Sequence, residues 1–262
     1  MTNPRDHAHH PSHVPAAEAT DSAGMPWARR DLSPTGFEGD TGMSDPAVLA
    51  ALGGSNEEGA MMAALARARF LVAVVAHADE IVTGEDGLVH EASVDMALVT
   101  LVAPDGRRAL PAFTGLAELT AWDPSARPVP VTADRLGQAA VAEGCEVVVI
   151  NLGAPSAREL RASQVWALAM QRAWVPPHTD NFVASSVAAA CRGIPEISEH
   201  EVYAAQPAGT LGVELSLRPG LSEQQVRELL TALGERLAAD GEFRARIDGL
   251  AFRLGRADTA SP

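Results

Sequence analysis

The sequence predicts an α+β protein, with an N-terminal domain built on a mixed α/β sheet and a smaller C-terminal α+β domain. Two observations carry this prediction. The runs FLVAVVA (70–76) and EVVVINLG (146–153) are apolar along their length, which is typical of strands buried on both faces. Helical patterns surround these runs, and the later run TLGVELSL (210–217) alternates apolar and polar residues, as a half-exposed strand does.

Composition divides the chain into three parts. Residues 1–45 are rich in Pro, Gly, Ser, Thr and Asp and poor in large apolar residues, so we expect a disordered acidic tail. The first domain is predicted over 46–175 and the second over 176–262. The segment VPPHTD (175–180) marks the joint between them, because two prolines interrupt regular structure.

In the first domain, a helical pattern that includes Met61, Met62 and Leu65 precedes the strand at 70–76. The turn residues Pro104 to Gly106 separate two apolar runs and predict an antiparallel hairpin. A second helical pattern precedes the strand at 146–153. The stretch Ser156 to Glu159 then matches a capping box, which predicts that another helix begins there.

In the second domain, a helix over NFVASSVAAACRG is closed by Gly193. The strand at 210–217 follows, with its leucines and Val213 on one face and Gly212, Glu214 and Ser216 on the other. Ser222 to Gln225 is a second capping-box match and begins an amphipathic helix. The run LAFRL (250–254) predicts the last strand, and we interpret this half as a small α+β layer in the order strand, strand, helix, strand.

Charge and composition exclude several classes of function. The formal net charge is -14 and all 20 basic residues are Arg, so binding to DNA or RNA is not expected, nor is chemistry that needs a lysine amine. No apolar run has the length of a membrane span, and the N-terminus lacks a signal-peptide core. Two isolated thiols, Cys145 and Cys191, fit a reducing compartment. We therefore expect a cytoplasmic protein without a membrane or nucleic-acid partner.

Two groups of residues have side chains that bind metals. The tail holds a histidine cluster, and a loop after the first strand holds a second set of histidines and carboxylates. Neither spacing matches a standard metal site, so both groups also fit a solvated polar segment, and no cofactor is predicted. The two sets are His7, His9, His10 and His13, and His77, Asp79, Glu80, Asp86, His90 and Glu91.

Two threonine turns lie where an apolar run passes into a helical pattern. Thr114 and Thr132 are each predicted to cap the helix that follows, with Gly115 as an alternative cap that places Glu118 at the third helical position. Asp134 adds a favourable negative charge to the second helix N-terminus. A ligand-binding rim at these turns is the other interpretation, although two turns with one glycine between them make a poor phosphate cradle.

The stretches LPAFTGLAELTAW and PVPVTADRLGQAAVAEGCEVVVINLGAPSAREL resemble the N-terminal domain of the SseB family, the enhanced serine sensitivity proteins. The resemblance covers about residues 60–170. The remainder is similar to the C-terminal domain of two-domain actinobacterial members. Leu152 departs from the usual Asn-Pro-Gly turn of the family. The matching positions, which are also the candidate binding residues, are Pro111, Phe113, Thr114, Trp122, Pro128, Pro130, Asn151 and Gly153.

The resemblance implies a cytosolic protein that is not an enzyme and has no catalytic residues. The leading hypothesis is a protein-binding or regulatory module that engages a partner with a basic surface. Trp122, Trp166 and Trp174 are candidate anchors, with the alternative that these rings seal the core or the contact between domains. The second hypothesis is a metal- or metabolite-binding protein or a hydrolase that uses the loop from His77 to Glu91, with the Thr114 and Asn151 turns beside it.

Overall fold

A computed structural model describes residues 36–54, 58–78, 82–83, 89–90, 94–103 and 106–255. All of its helices and strands lie in one compact unit that begins at Thr41. They form two larger sheets with helices packed on them and one two-stranded hairpin, so the α+β prediction is confirmed. The tail residues up to 35 are outside the described residues, together with their four histidines.

The first sheet is mixed and follows the order β4-β1-β6-β8-β9, with β5 paired to β6 and β7 paired to β1. Strands β6 and β8 are parallel, whereas β1 is antiparallel to its neighbours. The strands are β1 (Arg69–Ala78), β4 (Val94–Leu98), β5 (Leu101–Val102), β6 (Arg108–Phe113), β7 (Arg127–Thr132), β8 (Val147–Ile150) and β9 (Arg158–Leu160). A small separate hairpin pairs β2 (Val82–Thr83) with β3 (Val89–His90).

The stretch of β1 from Phe70 to Val74 is buried on both faces, as its unbroken apolar sequence predicts. Phe70 and Val72 face the main core, and Leu71 faces a smaller cluster with Phe113 and Leu119. The helices of this half supply the cover on the two faces. They are α1 (Pro46–Gly53), α2 (Glu58–Leu65), α3 (Leu116–Trp122), α4 (Ala133–Ala142) and α5 (Ala162–Ala169).

The second sheet has three strands in the order β10-β11-β12, with β11 antiparallel to β10 and parallel to β12. Leu211, Val213 and Leu215 pack against helical residues in a core of their own. The strands are β10 (Ile197–Ala204), β11 (Thr210–Leu217) and β12 (Gly249–Leu254), and the helices are α6 (Asn181–Cys191), α7 (Glu223–Ala238) and α8 (Gly241–Arg246). The capping box at Ser222 is confirmed, and β11 alternates as predicted except at Gly212, which is buried under the Tyr203 ring.

One helix start is wrong in the sequence prediction. Residues 158–160 form β9, which pairs antiparallel with β8, and helix α5 begins only at Ala162. The Ser156 hydroxyl does not cap a helix, because it accepts a hydrogen bond from Asn151 Nδ2 at 3.1 Å. Pairing with the preceding strand and the hydrogen bond from Asn151 therefore override the capping pattern.

Two further predictions are refined by the structure. The antiparallel hairpin around Gly106 exists as the β5–β6 pair, but the apolar run 95–102 divides into β4 on β1 and β5 on β6. The last residues of the predicted disordered tail are bound to the first domain, since the Gly42 carbonyl accepts from Leu116 N at 2.8 Å. The predicted domain boundary near 175 stays a prediction.

Candidate functional site

Thr114 and Asn151 come together at one edge of the first sheet. They follow β6 and β8, which are parallel neighbours, so both chains leave the sheet at the same edge. Asn151 Oδ1 accepts from Thr114 N at 2.8 Å, and Asn151 Nδ2 donates to Thr114 Oγ1 at 3.0 Å. Asn151 has a φ of 51°, a left-handed conformation that asparagine tolerates better than most residues. The two threonine- and asparagine-containing turns therefore form one cluster.

The segment 42–45 lies across this cluster. The Ser44 hydroxyl donates to Glu118 Oε2 at 2.8 Å and lies 2.9 Å from Thr114 Oγ1. Arg69 donates to the carbonyls of Thr114 and Met43, at 2.9 and 3.0 Å. A Cβ added at Gly115 would lie 2.4 Å from Ser44 Oγ, so only glycine allows this close approach. The cluster is therefore covered by the chain's own N-terminal segment.

Burial makes this cluster a structural joint. Asn151 is 0% exposed and Thr114 is 2% exposed, and their side chains are hydrogen-bonded to each other and to Ser44 and Ser156. A buried group that is already hydrogen-bonded has little to offer a ligand unless the covering segment moves. The arrangement fixes the ends of β6 and β8 against α3 and the segment 42–45.

The threonine caps differ from their predictions. The N-cap of α3 is Gly115, the alternative cap, and Thr114 makes no cap bond because its hydroxyl belongs to the asparagine cluster. Thr132 is the N-cap of α4 by position, but its hydroxyl donates to Asp134 Oδ1 at 2.5 Å instead of accepting from a helix amide. That hydrogen bond lowers the pKa of Asp134, which keeps the carboxylate charged at the helix N-terminus.

The family positions Phe113 and Trp122 pack on the face of the first sheet that lies opposite the main core. The Phe113 and Trp122 rings lie 5.2 Å apart, and Leu152 packs against the same cluster. Leucine at this position thus replaces the family's turn proline with a side chain that extends the cluster. Trp122 closes the end of α3, which is the sealing role among the two interpretations of the tryptophans.

The three prolines lie at positions where the sheet does not need a backbone N–H as a hydrogen-bond donor. Pro128 and Pro130 are in β7, which pairs only with β1 among the described strands, so both can face outward without an amide. Pro111 lies in β6 just beyond the residues that pair with β1. Gly153 has a φ of 83° and forms the turn after Asn151. These positions therefore have a structural reason for their residue types.

The comparison with known families decides the identity of this half. Residues 46–167 match the model of the SseB protein N-terminal domain. This part of the chain belongs to the SseB family. The matched residues contain the whole Thr114–Asn151 cluster except Ser44, together with all eight family positions named from the sequence. No curated protein and no solved structure matches the chain.

An SseB domain is here joined tightly to the residues that follow it. Asp248, which precedes β12, accepts hydrogen bonds from Ser163 N, Ser163 Oγ and Arg161 Nε, at 2.8, 2.9 and 2.8 Å. Arg161 also pairs with Glu58 through two bonds of 2.8 and 2.9 Å. The first turn of α5 is therefore bound to α2 and to the second sheet at once.

Trp174 belongs to this junction and is not an exposed anchor. It is 9% exposed, its Nε1 donates to Ser163 Oγ at 3.1 Å, and the Arg161 guanidinium lies 5.9 Å from its ring centroid. Trp166 is half-buried and lies beneath Arg172 at 5.5 Å. This burial favours the alternative that Trp174 seals the contact between the two halves, and a direct role in binding a partner stays a prediction.

The predicted metal-binding loop lies mostly outside the described residues. His77 and His90 fall in β1 and β3, whereas Asp79, Glu80, Asp86 and Glu91 are not described. Across the described ranges, no group of three or more His, Cys, Asp or Glu side chains is placed to hold a metal ion. Among the helices in those ranges, none is both long and apolar enough to cross a membrane.

A cavity of about 360 Å³ opens between α2 and the segment after α5. Met62 and Leu168 supply apolar walls, and Arg67, Asp134 and Gln171 supply polar groups. The Asp134 carboxylate accepts from Thr132 and from Gln171 Nε2 at 3.0 Å. Since its pKa is lowered and both oxygens are engaged, Asp134 is a fixed acceptor and a poor general base.

The second sheet presents a different kind of surface. Its inner face packs on helices, while Glu199, Glu201 and Tyr203 of β10 lie on the outer face opposite Ser216, Glu214 and Gly212 of β11. The Tyr203 ring lies over Gly212, where an added Cβ would come within 2.3 Å of it. The Arg253 guanidinium of β12 stacks 4.2 Å from the same ring and pairs with Glu214. We call these residues the outer face: Glu199, Glu201, Tyr203, Gly212, Glu214 and Arg253.

Sequence reasoning missed the outer face as a site. The alternation along β11 correctly placed Gly212 and Glu214 on the polar side, and Tyr203 is the only tyrosine of the chain. What the sequence lacked was the pairing register, which places Tyr203 opposite Gly212 and Arg253 opposite Glu214. Register depends on contacts between distant segments and cannot be read from one strand alone.

Proposed function

We infer that this protein is a non-enzymatic protein-binding module, and that its outer face docks a partner with a basic surface. The single observation that carries this proposal is the preformed stack of Arg253 on Tyr203 over Gly212. Tyrosine and arginine are enriched among the residues that dominate binding energy in protein interfaces. Here both side chains are exposed or half-exposed on a sheet, where the backbone is rigid.

The side chains of Tyr203 and Arg253 are already ordered before a partner binds, which favours a docking site here. The Tyr203 ring rests on a residue without a side chain, and the Arg253 guanidinium is held by the Glu214 carboxylate. A side chain that is already fixed loses less rotamer entropy when a partner binds, at about 0.5–1.5 kcal/mol for each side chain that need not be immobilised. Gly212 therefore supports binding by letting the ring lie flat.

Charge supports a basic partner. Glu199 and Glu201 are exposed beside Tyr203, and the only basic residue of the outer face, Arg253, is already paired with Glu214. The chain as a whole carries a formal charge of -14, which speeds encounter with a positively charged surface and disfavours nucleic acid. A cytoplasmic location and the two-domain actinobacterial type of the family are part of the same proposal.

The test compares the tagged full chain with two double variants that change the same charge. Glu199→Gln/Glu201→Gln alters the outer face, and Glu146→Gln/Glu235→Gln alters exposed carboxylates elsewhere. A partner is captured from an extract of the source cells, identified, purified and titrated at low and high salt. We expect about a three- to tenfold weaker Kd for the outer-face variant, an unchanged Kd for the control, and weaker binding at high salt.

Tyr203→Ala provides the second arm. Loss of a central aromatic anchor should weaken the Kd by about thirtyfold or more, while the urea midpoint changes little because the ring lies outside the core. If the partner binds both outer-face variants with the Kd of the unchanged chain, the outer face is not the docking surface. A co-purified metal or metabolite lost on His77→Ala or His90→Ala would instead favour the loop hypothesis.

A further inference from the structure

Among the described strands, β10 lies at an edge of its sheet and pairs along one side of its backbone. In the described part of the chain it pairs with β11 alone. Ala205 N donates to the Thr210 carbonyl. Because an antiparallel ladder alternates, the backbone amides and carbonyls of Tyr203 and Glu201 also point toward β11. The amides and carbonyls of His200, Val202 and Ala204 therefore point away from the sheet. A free edge of this kind is a template for an added strand.

The start of β10 is closed to such pairing. The register with β11 shifts between Ile197 and Glu199, which is a β-bulge, and the Ser198 hydroxyl donates to the Ser216 carbonyl at 2.9 Å. Bulges bend an edge and interrupt its ladder. The usable edge is thus the stretch 200–204, about 17 Å long at the usual rise of a strand.

The charges along this edge determine which strand can occupy it. Two copies of β10 paired with each other would bring Glu199 and Glu201 of one chain close to those of the other, and like charges across a ladder are destabilising. A strand with a basic residue at alternate positions would place those residues on the outer face beside the same carboxylates. The edge therefore disfavours a second copy and favours a basic segment.

We propose that an extended, basic segment of the partner adds to β10 as a fourth strand of the second sheet. Its backbone pairs with His200, Val202 and Ala204, and its basic side chains face Glu199 and Glu201. This inference rests on the proposed function, because it states how the partner of the outer face is held.

The first experiment uses the chain itself. His200→Pro removes an amide that points outward, and proline is tolerated in edge strands at such positions. His200→Ala is the matched control, since it removes the same exposed imidazole and keeps the amide. We expect partner or peptide binding to weaken at least about tenfold in His200→Pro and to stay within about twofold in His200→Ala. Equal binding by the two variants would overturn strand addition.

The second experiment needs no variant and therefore does not depend on the folding of His200→Pro. The probe is a synthetic peptide of alternating arginine and valine, prepared unmodified, N-methylated at every arginine or N-methylated at every valine. Only one set of amides can face β10, so one methylated peptide should bind and the other should not. Binding of both or of neither methylated form, where the unmodified peptide binds, would overturn the inference.

Amide hydrogen exchange gives a readout that side-chain docking would not change. Strand addition should slow exchange of the outward amides of His200, Val202 and Ala204 at least about tenfold when the peptide is bound. An unchanged exchange rate at these three amides during saturating binding would contradict the inference. Self-association in sedimentation experiments, with protection of the same amides, would show that a second copy occupies the edge instead.

The two proposals fail in different ways. If Glu199→Gln/Glu201→Gln and Tyr203→Ala abolish partner binding while His200→Pro does not, the outer face stands and strand addition fails. If none of these changes alters partner binding, the outer face is not the docking surface, and the inference of strand addition is also wrong.

Discussion

Arg161 and Asp248 lie 87 positions apart in the sequence, and their side chains form an ion pair with an Nε–Oδ2 distance of 2.8 Å. Their side chains are 20% and 11% exposed, so the pair is largely withdrawn from water. Arg161 belongs to the first turn region of α5 in the SseB-matched half, and Asp248 precedes the last strand of the second sheet. This contact joins the two halves of the protein.

Asp248→Asn should destabilise the folded protein by about 2–4 kcal/mol, because it leaves Arg161 with less compensating charge and weakens two hydrogen bonds from Ser163. Glu58→Gln is the control, since its carboxylate pairs with the same guanidinium but is 42% exposed and should contribute less than about 1 kcal/mol. Urea unfolding followed by tryptophan fluorescence measures both. Equal losses in the two variants would show that burial of Asp248 is not decisive.

Asn151→Ala should cost about 2–4 kcal/mol. It leaves the buried Thr114 amide without its acceptor and places an alanine at a φ of 51°. Asn151→Gly separates the two causes, because glycine relieves the backbone strain but, like alanine, cannot accept the hydrogen bond from Thr114. We expect the glycine variant to be about 1 kcal/mol more stable than the alanine variant. A glycine variant as stable as the natural protein would mean that the hydrogen bond contributes little.

The same substitution should have opposite effects in two helices. Gly137→Ala in α4 places a Cβ 2.5 Å from Ala169 N of the α5 end, and the backbone must move apart at a cost of about 1–3 kcal/mol. Gly234→Ala in α7 meets its nearest atom, in Phe252, at 3.7 Å, an ordinary contact, and should stabilise by about 0.5–1 kcal/mol through helix propensity. Thermal unfolding gives the sign of each change. Stabilisation by both variants would contradict the close contact at Gly137.

The two thiols should be unreactive in the folded state. Burial raises the pKa of Cys145 and of Cys191, against a smaller opposing effect of Arg108 and Arg236, so the thiolate fraction near neutral pH falls below that of a free thiol. A colorimetric thiol reagent at pH 8 should react with neither until urea unfolds the chain.

The same pKa shifts fix the direction of a pH effect. Since each folded-state pKa is raised, the stabilisation is complete below the ordinary thiol pKa and is lost as the pH rises through the folded value. The free energy of unfolding should therefore decrease at alkaline pH. Replacing both cysteines with alanine should remove that part of the decrease, and an unchanged alkaline decrease would assign it to other groups.

Much of the architecture follows from local sequence. The apolar run of β1, the alternation of β11 and the helical stripe of α7 each predict an element that the structure contains, because burial on one or two faces imposes its own period on the sequence. The SseB resemblance was also visible, since its prolines, Thr114 and Asn151 keep their order along the chain.

Two similar capping patterns show the limit of local sequence. Ser222 caps α7, with its hydroxyl accepting from Gln225 N at 3.3 Å, because the residues after it pack against their own sheet as a helix. Ser156 has the same pattern, yet the residues after it pair with β8 and its hydroxyl is taken by Asn151. The difference lies in what each stretch packs against, a sheet face in one case and the edge of β8 in the other, and a capping box does not contain that information.

The sequence by itself determined the α+β class, most elements, the family of the first half and the acidic character of the chain. The tertiary structure decided that Thr114 and Asn151 form a buried joint and that Arg161 and Asp248 bind the two halves together. It also decided that Tyr203 lies over Gly212 and stacks with Arg253. The physical reason is register. Periodicity fixes which face of a strand is apolar, whereas the side chain opposite each residue is fixed only when the strands pair.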